Sequence, residues 1–178
     1  MTHKEYPMYP RLPLLSRMAR DVCQGGSMRR STALYMWSAY GAHAAVNGWA
    51  LACPDRRLPV PRKVSSIGWV AVIGGIGLCI AGMSRFANLG EVEGTRNDAL
   101  ITGGVYRYSR NPQYLGYIMA LGGAAVARHS LTSAALAVGW AGVCAAWIPI
   151  EEQQLTALYG QAYGDYAGQV GRWWRRPS

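Results

Sequence analysis

Three long stretches of this chain contain no Asp, Glu, Lys or Arg, and no other feature limits its fold so tightly. They cover residues 32–54, 64–84 and 131–150, each close to the ~20 residues a helix needs to cross a bilayer core about 30 Å thick. A shorter uncharged run, 111–127, ends at Arg128-His129-Ser130, directly before the last of them. Lipid offers no hydrogen bonds to the backbone, so segments of this kind must satisfy themselves as helices. The expected fold is an all-α integral membrane protein with about four transmembrane helices. The last two form a tight hairpin, followed by a cytoplasmic C-terminal helical tail. Gly116, Ala120 and Ala124 repeat every four positions and give the short third helix a face for close packing.

The remaining composition agrees. Charged residues are 15% of the chain, against roughly 25% in a soluble domain. Seven Trp and eleven Tyr against one Phe suit a membrane interface, where amphipathic rings settle. A net charge of +9 points either to nucleic acid or to anionic headgroups. With so much uncharged sequence, membrane lipids are the expected partner and nucleic acid is not. Cys23, Cys53, Cys79 and Cys144 form no CxxC pair, so neither a disulfide framework nor a metal site is expected. Pro7, Pro10, Arg11 and Pro13 interrupt any signal-peptide core, and insertion is expected to rely on the later hydrophobic segments.

Three parts follow: a basic cytoplasmic arm over 1–31 with a short interfacial helix around Leu14 to Val22, a two-span part over 32–84, and a catalytic part over 85–178. With the N-terminus inside, segments 1–31, 85–110 and 151–178 hold thirteen of the 18 Lys and Arg residues, which favours that orientation. The basic loop at 54–63 argues the other way. In either case the hairpin returns the chain, so 85–110 and the tail share one membrane face.

Chemistry is therefore sought in those two polar segments. The first contains Thr102-Gly103-Gly104, then Tyr106, Arg107, Tyr108 and Arg110, then the turn signal Asn111-Pro112 before a helix. The second opens with Glu151-Glu152 just beyond Pro149, whose ring is expected to bend the helix, and continues to Tyr159, Tyr163 and Tyr166 at helical spacing. Taken singly, Arg and Tyr beside a span are interfacial anchors, and a Glu pair is a solvated helix end. Trp173-Trp174 reads as an anchor, and His43 and Asn47 as packed polar groups.

Taken together, the pattern is more specific. Tyr-x-Tyr-x-Arg-x-Pro-x-Tyr-x-Gly from Tyr106 to Gly116, a hairpin, then Glu-Glu-x-x-Leu-x-x-x-x-Gly-x-x-Tyr-x-x-Tyr from Glu151 to Tyr166 resembles a family of membrane methyltransferases. That family includes isoprenylcysteine carboxyl methyltransferase, and bacterial phospholipid N-methyltransferase-like proteins look similar. The resemblance covers roughly residues 64–174. It implies an S-adenosylmethionine pocket formed by Tyr106, Tyr108, Arg110, Asn111, Pro112, Gln113, Tyr114, Gly116, Glu151 and Glu152. Glu151, Glu152 and Arg107 are the implied catalytic groups, and Arg172, Tyr163 and Tyr166 the implied contacts to substrate. The family has His where this chain has Asn111. Its esterifying members carry Arg-Val-Pro near the tail, where this chain reads Gln169-Val170-Gly171-Arg172. Esterification of prenylated proteins is therefore not the favoured reaction.

The expected activity is S-adenosylmethionine-dependent methylation of a lipophilic or membrane-associated acceptor, in a multi-pass protein whose site faces the cytoplasm. A carboxylate acceptor needs no general base, whereas an amine or phenol must lose a proton, for which Glu151, Glu152 or a Tyr is available. The rivals are a sterol-type membrane reductase using NADPH, whose C-terminal half is similar, and a non-catalytic membrane scaffold.

Overall fold

The computed structural model describes residues 12–86, 90 and 99–174. Expectations for residues 1–11 of the basic arm, for 87–89 and 91–98, and for 175–178 lie outside them. Among the described residues all regular structure is helical: α1 (Pro13–Gly25), α2 (Arg30–Ala52), α3 (Ser65–Met83), α4 (Pro112–Arg128), α5 (Leu131–Tyr159) and α6 (Gln161–Gln169), with short 3-10 turns at Arg62–Val64 and Gly104–Arg107. Helices α2 to α5 occupy the four uncharged runs. The segments Arg62–Met83 and Leu131–Tyr159 are long and apolar enough to cross a membrane. At 17 residues α4 is shorter than the ~20 of a full span, and α2 is diluted by Ser, Gly, His43 and Asn47.

Packing explains the composition of α3. Its buried residues are Gly68, Gly75 and Gly82, while Ile67, Val70, Ile73, Ile76 and Ile80 are 48–72% exposed. A helix in water places these residues the other way round. The glycines recur every seven residues and so hold one line along the helix. They let the α4 backbone approach directly: a methyl group on Gly75 would stand 2.5 Å from the Gly116 carbonyl oxygen, and one on Gly68 would stand 2.6 Å from the Ala127 nitrogen. The expected small-residue face on α4 begins at Gly116 and Ala120 but continues through Gly123 and Ala127, and its partner is α3. A strict four-residue step advances about 40° too far around a helix each time, so a straight seam must alternate fours and threes.

At the far end of the bundle, the 54–63 loop closes over the α4–α5 turn. Asp55 accepts from the Leu131 and Thr132 nitrogens at 2.9 and 3.0 Å, and Ser130 Oγ accepts from the Ser133 nitrogen at 3.1 Å. The Ser130 carbonyl takes the Ala134 N–H, so each of the first four donors of α5 has an acceptor. Arg128 Nε donates to the Leu51 carbonyl at 3.0 Å, tying α4 to the end of α2.

Helix α5 does not end at the Glu pair. It continues through Pro149 to Tyr159, because the residues from Glu151 to Leu158 are almost all good helix formers that outweigh one missing backbone donor. Its 29 residues extend about 43 Å, leaving two turns or more beyond a ~30 Å core. Helix α1 covers this extension. Pro13 starts α1, Gly26 ends it in the left-handed conformation (φ 73°), and Leu15, Met18, Ala19 and Val22 form one buried stripe against Trp147 and Ile150. Asp21 accepts from Thr32 Oγ1 and the Arg29 nitrogen, fixing α1 to the start of α2.

Candidate functional site

The turn before α4 is braced from within. The 3-10 turn Gly104–Arg107 points Tyr106 inward, where its hydroxyl donates to Gln113 Oε1 at 2.9 Å. Ser109, fully buried, accepts from the Asn111 nitrogen at 3.1 Å. Asn111 Nδ2 donates to the Arg172 carbonyl at 3.1 Å, and the Arg110 nitrogen to the Gly171 carbonyl at 3.0 Å. Asn111 thus fastens the tail to the turn, with a donor that an imidazole N–H could supply equally well.

Between this turn, the extension of α5, and α6 lies a cavity of about 330 Å³, within the range of small-molecule sites. One wall is charged. Arg110 Nη2 stands 3.2 Å from Glu152 Oε1, and Nη1 donates to the Tyr163 hydroxyl at 3.2 Å. Arg172 grips the same carboxylate with two bonds, from Nε at 3.0 Å and Nη2 at 2.5 Å. Glu152 is therefore held between two guanidiniums. Glu151 is bonded by neutral donors, the Tyr114 hydroxyl at 3.2 Å and the Trp147 side chain, and no salt bridge to a cation joins it among the described residues. Arg110 Nε is buried without an acceptor there. Glu151, whose carboxyl has no cation partner, and Arg110, whose buried Nε has no acceptor, thus both line one space, and a buried polar group left unpaired is costly.

The opposite wall is apolar and comes from Val22, Met28, Met36, Trp37 and Tyr40 of the N-terminal helices and the link between them. Sequence reasoning missed this wall, because nothing in α1 or α2 signals that it returns to the turn. It also missed Gln154, whose Nε2 donates to the Gly26 carbonyl at 2.8 Å and locks α1 over the cavity. Ser109 was legible in principle, since Ser before a Pro-initiated helix favours a local side-chain turn.

The candidate residues divide clearly. Tyr106, Arg110, Asn111, Gln113, Tyr114, Glu151, Glu152, Tyr163 and Tyr166 line the cavity. Arg107 and Tyr108 are exposed outside it, Tyr108 stacking on Trp174 at 5.8 Å. Pro112 is buried at the start of α4, Gly116 lies in the α3–α4 seam, and Arg172 stands behind Glu152. Burial pushes the Tyr106, Tyr163 and Tyr166 phenols above their ordinary value, so all three are neutral donors near pH 7. The hydrogen bonds to Glu152 raise Arg172.

Helix α6 reaches this site through Gly160, whose φ of 51° and ψ of −123° fall where only glycine is comfortable. That reversal lets Tyr166 donate to the Tyr106 carbonyl at 2.8 Å. Gly160→Val is expected to cost about 1–3 kcal/mol in a thermal unfolding measurement. Unaltered stability would show that α6 needs no such turn.

A profile of the phospholipid methyltransferase family matches residues 64–162, more than half of the chain. The chain belongs to the phospholipid methyltransferase family. The protein-S-isoprenylcysteine O-methyltransferase of Tribolium castaneum is 30% identical over 126 residues, covering 61% of this chain. The chain spans 42% of that curated relative's length. The family match takes in the α3–α4 seam, Arg110, the Glu pair and the start of α6. Both N-terminal helices, with their apolar wall, and Arg172 lie outside it.

Proposed function

We propose that this protein is an integral membrane methyltransferase that binds S-adenosylmethionine in the cavity and methylates a lipophilic acceptor arriving from the bilayer. One observation carries the reading: Glu151, whose carboxyl pairs with no cation, and Arg110, whose buried Nε has no acceptor, line one cavity. They suit a ligand bearing both a cation and a carboxylate. Family membership and the similarity to a named methyltransferase support the same activity.

In this reading α2 to α5 cross the membrane, both termini lie inside, and the cavity opens toward the cytoplasm. The excess of Lys and Arg on the inner segments supports that orientation, and the outward Ile and Val of α3 support a lipid surround. When bound, the cofactor supplies an electrophilic methyl group on a sulfonium. The chain's own residues bind and orient. Arg110 Nε meets a carboxylate, Glu151 meets a cation, and Tyr106, Tyr163 and Tyr166 offer aromatic faces. Helix α1, locked by Gln154, keeps water from the apolar wall, so positioning and dryness supply most of the rate.

Labelled S-adenosylmethionine and NADPH, each offered to the purified protein, test this directly. The first is expected to bind and the second is not. Binding of NADPH alone identifies a reductase, and binding of neither identifies a scaffold.

The two carboxylates are expected to separate. Glu151→Gln should weaken cofactor binding at least about tenfold, since a hydrogen-bonded charge is worth about 1.5–3 kcal/mol. Glu152→Gln should act more on thermal stability, by about 1–2 kcal/mol, because it frees two arginines, one of them partly exposed. A double variant that binds and methylates like the parent would place the site elsewhere.

A further inference from the structure

The two non-glycine residues with left-handed backbone among those described, Arg56 (φ 53°) and His129 (φ 55°), line the same concavity. It holds about 570 Å³ and lies at the end of the bundle away from the cavity described above. His129 has a local reason for its conformation, since it ends α4. Arg56 ends no helix. Held strain of this kind gathers where a loop must present a side chain in one direction. Pro54, Pro59 and Pro61 stiffen the loop, and the Leu58 nitrogen donates to the His129 carbonyl at 3.1 Å, so the shape is fixed before anything binds.

The lining is cationic and has no counter-charge. Arg56, Arg62 and Arg128 line the concavity, Arg128 with its Nε on the Leu51 carbonyl at 3.0 Å, and His129 Nε2 is held by Ser65 Oγ at 2.9 Å. The nearby carboxylate, Asp55, is occupied by Leu131 and Thr132 at the start of α5. Guanidinium forks match phosphate oxygens. Leu58 and Val60 complete the wall with apolar surface. The 19 residues of α3 separate this cup from the cavity by about 28 Å, close to one hydrocarbon thickness.

We propose that this cup binds the phosphodiester of an anionic phospholipid headgroup, in the leaflet opposite the methyl-transfer cavity. The depth rests on α3 spanning the membrane. The choice of a lipid over free phosphate rests on Leu58 and Val60, apolar side chains in the same lining that acyl chains would cover.

The test is binding of a fluorescent phosphatidylglycerol to the full chain in phosphatidylcholine nanodiscs, with competitors. Unlabelled phosphatidylglycerol should compete, phosphatidylcholine should not, and inorganic phosphate should need at least about a hundredfold more. Arg56→Gln with Arg62→Gln should weaken binding at least about tenfold. Arg57→Gln with Lys63→Gln removes the same charge from the same loop outside the cup and should stay within about twofold. Equal losses in the two pairs would reduce the site to diffuse attraction and overturn the proposal. Phosphate competing as well as the lipid would overturn the lipid assignment. All four positions are exposed, and each pair is checked by thermal unfolding, with Arg62→Gln alone replacing the first pair if it does not fold. S-adenosylmethionine binding, measured in parallel, separates failure here from failure of the proposed activity.

Discussion

Gly75→Leu should lower stability by about 3 kcal/mol or more and leave little folded protein in detergent. The position has no slack. A first side-chain carbon there would meet the Gly116 carbonyl and the Ala120 nitrogen at 2.5 and 2.6 Å, and both are backbone atoms that no rotamer change can move aside. Relief requires separating α3 from α4 along the whole seam. The same substitution one residue earlier or two residues later provides the control. Gly74 and Gly77 face nothing within 4 Å, so Gly74→Leu and Gly77→Leu should stay within about 0.5 kcal/mol. Thermal unfolding of the three variants decides the matter, and equal losses would mean that α3 is simply intolerant of bulk.

Arg110→Ala should weaken S-adenosylmethionine binding about ten- to hundredfold, corresponding to about 1.5–3 kcal/mol for a charge-assisted contact. Three separate losses combine: the Nε that awaits an acceptor, the pairing with Glu152, and the bond that aligns Tyr163. Arg110→Lys should restore only part, because an ammonium cannot reproduce a planar fork. Isothermal titration on variants with normal melting curves gives the answer. An unchanged affinity in a folded Ala variant would return Arg110 to the role of an interfacial anchor.

What could be read in advance follows from which forces are local. Uncharged length is a property of single segments, so the helices α2 to α5 could be placed from sequence, and the short helix expected around Leu14 to Val22 falls within α1. Residues close to the Asn111-Pro112 turn that line the cavity could also be named, because a helix start and its preceding loop are adjacent in sequence. The fate of Glu151 and Glu152 was not legible in this way. Which carboxylate meets Arg110 and Arg172 depends on the phase of α5 beyond Pro149 and on where Gly160 turns the chain. Both are set by packing across the bundle. The apolar wall was hidden for a similar reason: Val22 and Met36 lie far from the motif, and a single hydrogen bond from Gln154 to Gly26 helps bring them over it. Arg107, a catalytic group implied by the resemblance, is exposed and does not line the cavity.

The construction of α3 also bears on how kinship should be judged among chains like this one. Its outer positions, Ile67, Val70, Ile73, Ile76 and Ile80, face away from α4, and if α3 crosses a membrane as proposed, hydrocarbon would not distinguish Ile from Leu, Val or Phe by shape. Those letters can drift freely without physical consequence. The inner positions tolerate almost no change, yet they are few. A percentage of identical residues therefore averages many uninformative sites with a handful of decisive ones, and understates relationship. The better question to ask of a distant sequence is whether glycine or another small residue returns at the intervals of Gly68, Gly75 and Gly82, opposite Gly116, Ala120, Gly123 and Ala127.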